Sequence, residues 1–550
     1  MKESLYIISN RANCKYCYKC LRNCPVKAIS FQNDVSFVIE DECILCGTCV
    51  NVCPQNAKNY RDDITKFESL INKPFIVSIA PSFYGNEDAP LKILSILKSL
   101  GAVYISETAV GAEFVTEEYI RIYENSNHSL ITTSCPVIVN LIEKHYPHLI
   151  PYMMPIVSPA IAHSQFLNQL FGDLPKLFVG PCIAKKEELE NYYDVVLTFE
   201  ELEKFIKKRE IIVDDCKERL PDFPYPKRTR FYPTSGGILF SAQQNTYNHL
   251  ILEGVNNIID FLEHFNENIN EKVIIEMSAC HGGCLNGPAT DRNVNILEKR
   301  FKLNSVIKQI NNTSIQPKYI DLKEYNFSLK KQFINKSKKV EISKEKIENI
   351  LKSMEKDSPE KELNCSGCGY DTCVEKAKAV YLGKAEKDMC FAYLIEKVSS
   401  VSNKVVDESP NGILIFKDND LLYINESAKK LFVNYEKERL IEICERIFND
   451  PNRIHEIYIN GKKFYFYPKA FSLPEDSGNV ILLVDITELI IQKERMNELK
   501  SKTIEKIEEV LNNQMKLAQD IASILGESIA ETKAHFLEFK KYMGEENADV

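Results

Sequence analysis

The chain has 550 residues, 44% hydrophobic and 27% charged. These are ordinary proportions for globular protein, and the length exceeds one core, so roughly three to five domains are expected. Lys and Arg number 69 against 78 Asp and Glu, a net charge of −9, which argues against a broad nucleic-acid-binding surface. No run of about 18 apolar residues is available to span a bilayer, and the opening MKESLYIISN lacks a signal-peptide layout, so a cytoplasmic protein without a membrane span is expected.

Cysteine is the informative residue, with 18 in the chain. In a reducing compartment these should not be disulfides, and their clustered spacing points to metal. Cys216 and Cys444 stand outside the clusters and read as plain buried residues.

Residues 1–62 hold an internal repeat. Cys14, Cys17, Cys20 and Cys24-Pro25 are spaced C-x2-C-x2-C-x3-C-P, and Cys43, Cys46, Cys49 and Cys53-Pro54 repeat the pattern. A tight run of this kind wraps three thiolates around one [4Fe–4S] cube while the fourth cysteine reaches the other cube. Cys14, Cys17, Cys20 and Cys53 should therefore hold one cluster, and Cys43, Cys46, Cys49 and Cys24 the second. Zinc sites pair two C-x-x-C elements and have no use for a third cysteine in each run. The segment resembles bacterial two-cluster ferredoxins, which implies electron transfer.

From about residue 70 the pattern changes to short buried strands (74–80, 177–179, 273–277) and amphipathic helix (91–100), giving an α/β domain over 66–328. Its remaining clustered cysteines lie in three separated loops: TSCP around Cys135, GPCIAK around Cys182, and EMSACHGGCLNGP (276–288), with Cys280 and Cys284. Glycines beside these thiolates would let the backbone approach a bulky cluster, because they carry no Cβ. One, one and two make the four thiolates that a single cube needs.

On these loops residues 1–330 resemble the iron-only ([FeFe]) hydrogenases. The resemblance implies an H-cluster: a cube on Cys135, Cys182, Cys280 and Cys284, with Cys284 bridging to a two-iron subsite that carries CO and CN ligands. It also implies that Lys185 hydrogen-bonds one cyanide and that Ala80-Pro81-Ser82 meets the other. YPTSGGIL (232–239) resembles a further glycine-rich family segment near the cluster. In the family's proton route Glu118 and Ser158 match by position. Arg121 stands where a second glutamate would be, and Ser134 replaces the thiol that donates protons to the two-iron site. A serine hydroxyl titrates far above neutrality and makes a poor general acid. Gly180 and Ser278 stand where two methionines would pack on the subsite, and Asn286-Gly287-Pro288 replaces a glycine triplet. The ligands survive while the fast proton path does not, which predicts low turnover. His281, between two ligands, is a candidate for tuning the cube's potential through a hydrogen bond; a solvent-facing histidine is the alternative.

Residues 329–345 are polar and basic and read as a linker. Cys365-x2-Cys368-x4-Cys373-x16-Cys390 follows within 345–400, with a helix expected over 374–383. It resembles a small four-cysteine [4Fe–4S] module, zinc being the alternative. Residues 401–488 carry strands near SPNGILIF, 421–425 and ILLVDIT, with a short helix at ESAKKLF, and resemble a PAS sensor domain. Over 489–550, Leu489, Met496, Thr503, Val510, Leu517 and Ile524 recur every seven residues, joined by Leu499, Ile507 and Ile521: a coiled-coil seam, imperfect at Thr503 and Lys500. Gly526 should end that helix and 527–543 should form another.

The expected fold class is thus multidomain α+β and α/β: a two-cluster ferredoxin-like domain, an α/β hydrogenase domain, a four-Cys module, a PAS domain and a coiled-coil helix. The leading functional expectation is a hydrogen- or redox-sensing hydrogenase. Its partners would be H2 and protons, an electron carrier such as ferredoxin, a downstream signalling protein, and a second copy joined through the PAS domain and coiled coil. A ferredoxin-linked metabolic hydrogenase and an iron–sulfur scaffold lacking the two-iron unit are the alternatives.

Overall fold

The computed structural model describes residues 2–32, 35–242, 248–265, 272–313, 316–418, 420–433, 435–474, 477–525 and 538–541, with side chains of the long C-terminal helix described to residue 513. The chain divides into two compact units, Met1–Leu394 and Ile395–Val550.

In the first unit the cysteine repeat is also a backbone repeat. Tyr16 and Leu45, Tyr18 and Gly47, and Lys27 and Asn56 all have positive φ, each pair at the spacing that separates Cys14 from Cys43. Left-handed residues turn the backbone sharply within each run. Two antiparallel strand pairs close the repeat, Ile7–Ser9 with Lys58–Tyr60 and Ile29–Gln32 with Val35–Val38.

Two all-parallel sheets follow. One runs Ala102–Glu107, Phe75–Ile79, Lys176–Gly180, Val195–Thr198; the other His249–Glu253, Ile274–Ser278, Leu130–Ile131. Phe75–Ile79 and Lys176–Gly180 are buried along their whole length, which explains continuous apolar runs in place of alternation. The expected strands and the helix Pro90–Ser99 are all present. Helices Ala109–Asn125, Pro136–His145 and Pro159–Phe171 cover the sheets.

The presumed linker is not free. Ile334 N donates to Glu143 Oε1 (2.9 Å), Lys336 pairs with Glu143 (2.6 Å), and Lys338 pairs with Asp41 (2.6 Å). Its basic residues answer carboxylates, the buried Glu143 among them, rather than solvating a tether. The helix expected over 374–383 is Cys373–Tyr381, capped by a Thr372–Glu375 capping box. Cys373 therefore opens that helix. Cys444 is buried as expected, whereas Cys216 is only partly buried, because it lies on a surface turn after Val213–Asp215.

The second unit is a five-stranded antiparallel sheet in the order Asp420–Ile424, Gly412–Lys417, Asn479–Asp485, Lys462–Ser472, His455–Ile459. Asn425 is wholly buried and ties it together, accepting from Ile413 N (2.9 Å) and Ala428 N (3.0 Å) and donating to Val406 and Asn411 carbonyls. The sequence reading missed helix Lys437–Asn449 and the hairpin His455–Ser472. Asn460-Gly461, both at positive φ, is the hairpin-turn signal that would have revealed the latter. A single helix, Thr487–Leu525, then carries the heptad positions. Leu489, Met496, Leu499 and Val510 are exposed on it. Leu517, Ile521 and Ile524 lie beyond the described side chains, and Gly526 and most of 527–543 lie outside the described residues. Among the described residues no helix is long and apolar enough to cross a membrane.

Candidate metal centre

Four loops leave the carboxyl ends of parallel strands and meet at one cavity of about 120 Å³. They follow Phe75–Ile79 (to Ser82), Leu130–Ile131 (to Cys135), Lys176–Gly180 (to Cys182) and Ile274–Ser278 (to Cys280 and Cys284). Carboxyl ends of parallel strands are where such folds bind ligands. All four expected cysteines line the cavity, with Ala80, Pro81, Ser82, Ser134, Lys185 and Ser278.

Cys135 sits at the N-cap of Pro136–His145, with Pro136 at a position whose N–H would be unpaired in any case. Burial pushes the Cys182 and Cys284 thiols up to about 12 and Cys280 well above its ordinary value. Thiols so placed ionise only against added positive charge, which iron supplies.

Residues of EMSACHGGCLNGP act differently from the expectation. A Cβ on Gly283, which has φ +74, would meet the Pro233 carbonyl oxygen at 2.4 Å. Gly283 thus lets the cysteine loop close against the YPTSGG segment, while Gly282 makes room for Ile296 and Gly287 for Pro181. Glu276 makes the same junction from the strand: its carboxylate accepts from Gly236 N (2.9 Å), Ile238 N and Leu239 N (both 3.1 Å). Where a methionine would stand at Gly180, the Phe178 ring takes the space; a Cβ would come within 2.5 Å of it. Phe178 lines the cavity in that methionine's stead.

Lys185 lies on the cavity wall, its side chain 13% exposed. It pairs with Glu188 and donates to Ser158 Oγ (3.0 Å), which itself donates to Glu188 (3.0 Å). Glu188, three residues after Lys185, was not singled out in the sequence, although an i,i+3 Lys–Glu pair is a legible signal. Ser82 Oγ is buried and has no hydrogen-bond partner among the described residues. An unmet hydroxyl and an ammonium on a wall of thiols suit a polar, anionic ligand set, so the residues present fit a cube carrying a cyanide-bearing two-iron unit.

The candidate proton-path residues do not form one chain. Ser134 Oγ meets Tyr119 Oη at 3.1 Å, and Thr133 N donates to the same oxygen (2.8 Å). Glu118 is turned to Arg121, whose guanidinium holds its carboxyl below the usual range. Ser158 belongs to Lys185 instead. Tyr119, adjacent to Glu118 on its helix, went unremarked because its role depends on a contact with another loop. His281 is 67% exposed at the side chain, leans towards Glu253 (3.9 Å) and is absent from the cavity wall.

The ferredoxin repeat reaches this cavity through Cys46, which lines it. Cys14, Cys17, Cys20 and Cys53 line a second, smaller cavity together with Lys58. The Cys43 thiol is pushed up by burial and then by Cys46, with Cys24 also in its surroundings. The structure thus places Cys53 with the first run and Cys24 near Cys43 of the second. In the C-terminal set burial raises the Cys368 thiol, with Cys390 and Cys365 adding to it.

Residues 73–288 match the family model of the iron only hydrogenase large subunit, C-terminal domain. Residues 37–59 match a 4Fe-4S binding domain and residues 362–391 an Fe-S cluster segment. Iron hydrogenase 1 of Clostridium pasteurianum is 25% identical over 284 residues, 39% of this chain and 50% of that protein. The Drosophila melanogaster protein named "Probable cytosolic Fe-S cluster assembly factor" is 23% identical over 301 residues, 41% of this chain and 63% of its own. The chain therefore spans about half the length of the first of these relatives and under two thirds of the second. Among solved structures, a variant of the [FeFe]-hydrogenase HydA1 from Chlamydomonas reinhardtii covers 50% of this chain and 100% of its own at 15% identity, TM-score 0.38. A structure describing stepwise H-cluster assembly in HydA covers the same shares at 16% identity, TM-score 0.38.

Proposed function

We propose that this chain, whose central segment is of the iron-only hydrogenase large-subunit family, is a low-turnover hydrogen- or redox-sensing [FeFe] hydrogenase. The observation that carries the reading is one cavity bounded by four thiols, the Lys185 ammonium and the unpartnered Ser82 hydroxyl, with a hydroxyl at Ser134 where a thiol is needed for speed. When bound, a two-iron unit on the cube would supply the redox chemistry that interconverts H2 with protons and electrons. Cys135, Cys182, Cys280 and Cys284 would hold the metal, and Lys185 and Ser82 would orient its anionic ligands. Ser134 and Tyr119 can pass a proton only between hydroxyls that stay neutral at pH 7. Burial raises the Tyr119 phenol further. General acids matched to ambient pH contribute about 10²–10⁴ in rate, and this site forgoes much of that.

The relay reading rests on the parts beyond the cavity. Cys46 gives electrons an exit towards the ferredoxin repeat and a soluble electron carrier. The sheet order of the second unit, with the first strand beside the second and the last, supports a PAS assignment. The exposed heptad residues of Thr487–Leu525 support a parallel dimer that passes the state to a separate signalling protein in the cytoplasm. The named assembly factor among the relatives favours a second reading, a scaffold without the two-iron unit; Lys185 and Ser82 on the cavity wall count against it. Hydrogen evolution and uptake after maturation test the proposal. Low turnover that rises at least tenfold in Ser134→Cys is expected. High turnover that Ser134→Cys does not raise would refute it.

A further inference from the structure

The four-cysteine segment docks on the ferredoxin repeat, cluster loop against cluster loop. Arg22 Nη2 donates to the Cys17 carbonyl (2.9 Å) and its Nη1 to the Gly367 carbonyl (3.1 Å). Cys17 is a ligand position of the first ferredoxin run, and Gly367 lies between Cys365 and Cys368. One planar guanidinium therefore spans the two loops, a geometry its fixed fork of donors suits. The dock is extensive. Lys27 pairs with Asp371 (3.1 Å) and Lys384 with Glu42 (2.5 Å), while Phe31 N and Ser30 Oγ both donate to the Lys384 carbonyl (2.9 and 3.1 Å). A Cβ on Gly369 would come within 2.9 Å of the Leu21 side chain, so the two loops meet in apolar contact beside the guanidinium.

Buried ammonium groups flank the contact. Lys58 lines the cavity of Cys14, Cys17, Cys20 and Cys53. Lys376 is buried beside Cys368, donating to the Glu386 carbonyl (2.5 Å) and lying over the Tyr370 ring at 5.5 Å. An isolated structural knob needs neither a shared guanidinium between cysteine loops nor a desolvated cation beside its thiols, and each cation costs free energy to bury.

We propose that a [4Fe–4S] cluster on Cys365, Cys368, Cys373 and Cys390 is the outermost station of a continuous electron path. It exchanges electrons directly with the Cys14, Cys17, Cys20 and Cys53 cluster, and Arg22 positions the two loops for that transfer. The inference deepens the function proposed above by naming the route along which the redox state leaves the cavity. In the step one electron leaves the reduced ferredoxin cube, which becomes oxidised, and enters the oxidised cube of the module. No atom or proton moves. Cys390, the last ligand, is followed at once by helix Phe391–Asp407, so the final station is covalently joined to the next part of the chain.

Electron paramagnetic resonance of the full-length chain, loaded with iron–sulfur clusters but not matured and reduced by dithionite, tests the proposal without the two-iron unit. Its failure is thus separable from failure of the hydrogenase reading. The fully reduced chain should show a spin-coupled, broadened signal. Cys365→Ser/Cys368→Ser, with iron content lower by one cube, should show loss of that added broadening and slower spin relaxation in the clusters that remain. Arg22→Met, with unchanged iron content, should show weakened coupling. A wild-type spectrum equal to the double variant's plus an independent cube signal would overturn the direct contact. Unchanged coupling in Arg22→Met would overturn the role of Arg22.

Discussion

Lys186 is the neighbour of Lys185 in sequence and its opposite in task. Its side chain is 0% exposed, and Nζ donates to Asp63 Oδ2 (2.7 Å), Glu201 Oε1 (2.9 Å) and the Val196 carbonyl (2.8 Å). The two carboxylates are 2% and 1% exposed. Glu201 also accepts from Asp63 N (2.8 Å) and Thr198 N (2.7 Å), so one ammonium fixes the junction where the cysteine repeat enters the α/β domain. Lys186→Met keeps the length and removes the charge, breaking the ion pair of buried Glu201 and leaving Asp63 only Arg61 and Lys66. Breaking a buried pair in this way costs about 3–5 kcal/mol, or roughly two to four powers of ten in the local opening equilibrium. Native-state hydrogen exchange at the Asp63, Thr198 and Glu201 amides is the suitable assay, because a multidomain chain has no single unfolding free energy. Exchange there should accelerate by that factor and be partly restored by adding Glu201→Gln. The pH sign follows from the cation. Burial alone would raise the Asp63 carboxyl, but Lys186, Arg61 and Lys66 together hold it below its usual range. Its contribution in the native chain is present above about pH 4 and is lost only as pH falls through the lowered value. In Lys186→Met the strongest of these partners is gone while Arg61 and Lys66 remain, so the Asp63 carboxyl should rise towards its usual range and the acid-side loss should shrink. A change below about 1 kcal/mol, or no relief from Glu201→Gln, would refute the buried-triad reasoning.

Three further outcomes follow from the site. His281→Ala should leave the cube's potential and its pH slope unchanged, since the ring faces solvent; a shifted potential in a redox titration would restore the tuning role. Gly283→Ala should lose the cavity cube while keeping the ferredoxin clusters, read as iron content, because the new Cβ would sit 2.4 Å from the Pro233 oxygen; full loading would contradict this. Burial pushes the Glu276 carboxyl up to about 7 despite its three backbone donors, so it charges as pH rises through neutrality. A protonated-carboxyl infrared band should titrate near pH 7 and vanish in Glu276→Gln; a midpoint below 5 would be inconsistent with the desolvation.

The cysteine clusters were legible because thiolate spacing is a local signal, and the repeat of Cys14–Cys24 in Cys43–Cys53 persists even in the left-handed residues between them. The buried parallel strands were equally readable from their apolar runs. What escaped depends on contacts between distant segments: Tyr119 with Ser134, Phe178 occupying the space beside Gly180, and Glu276 holding the 236–239 backbone. Glu188 and the Asn460-Gly461 hairpin were within reach of sequence rules. Composition misled over 329–345, where a basic polar run suggested a solvated linker but Glu143 and Asp41 anchor it. It could not reveal that Arg22 joins two cysteine loops 345 positions apart.

The most direct test of the central claim is the infrared spectrum of the matured full-length chain, recorded with and without hydrogen. Cyanide and carbonyl bands that shift under H2, and whose cyanide frequencies move in Lys185→Met, are expected. A chain fully loaded with cubes but lacking those bands would contradict the hydrogenase reading and favour the scaffold.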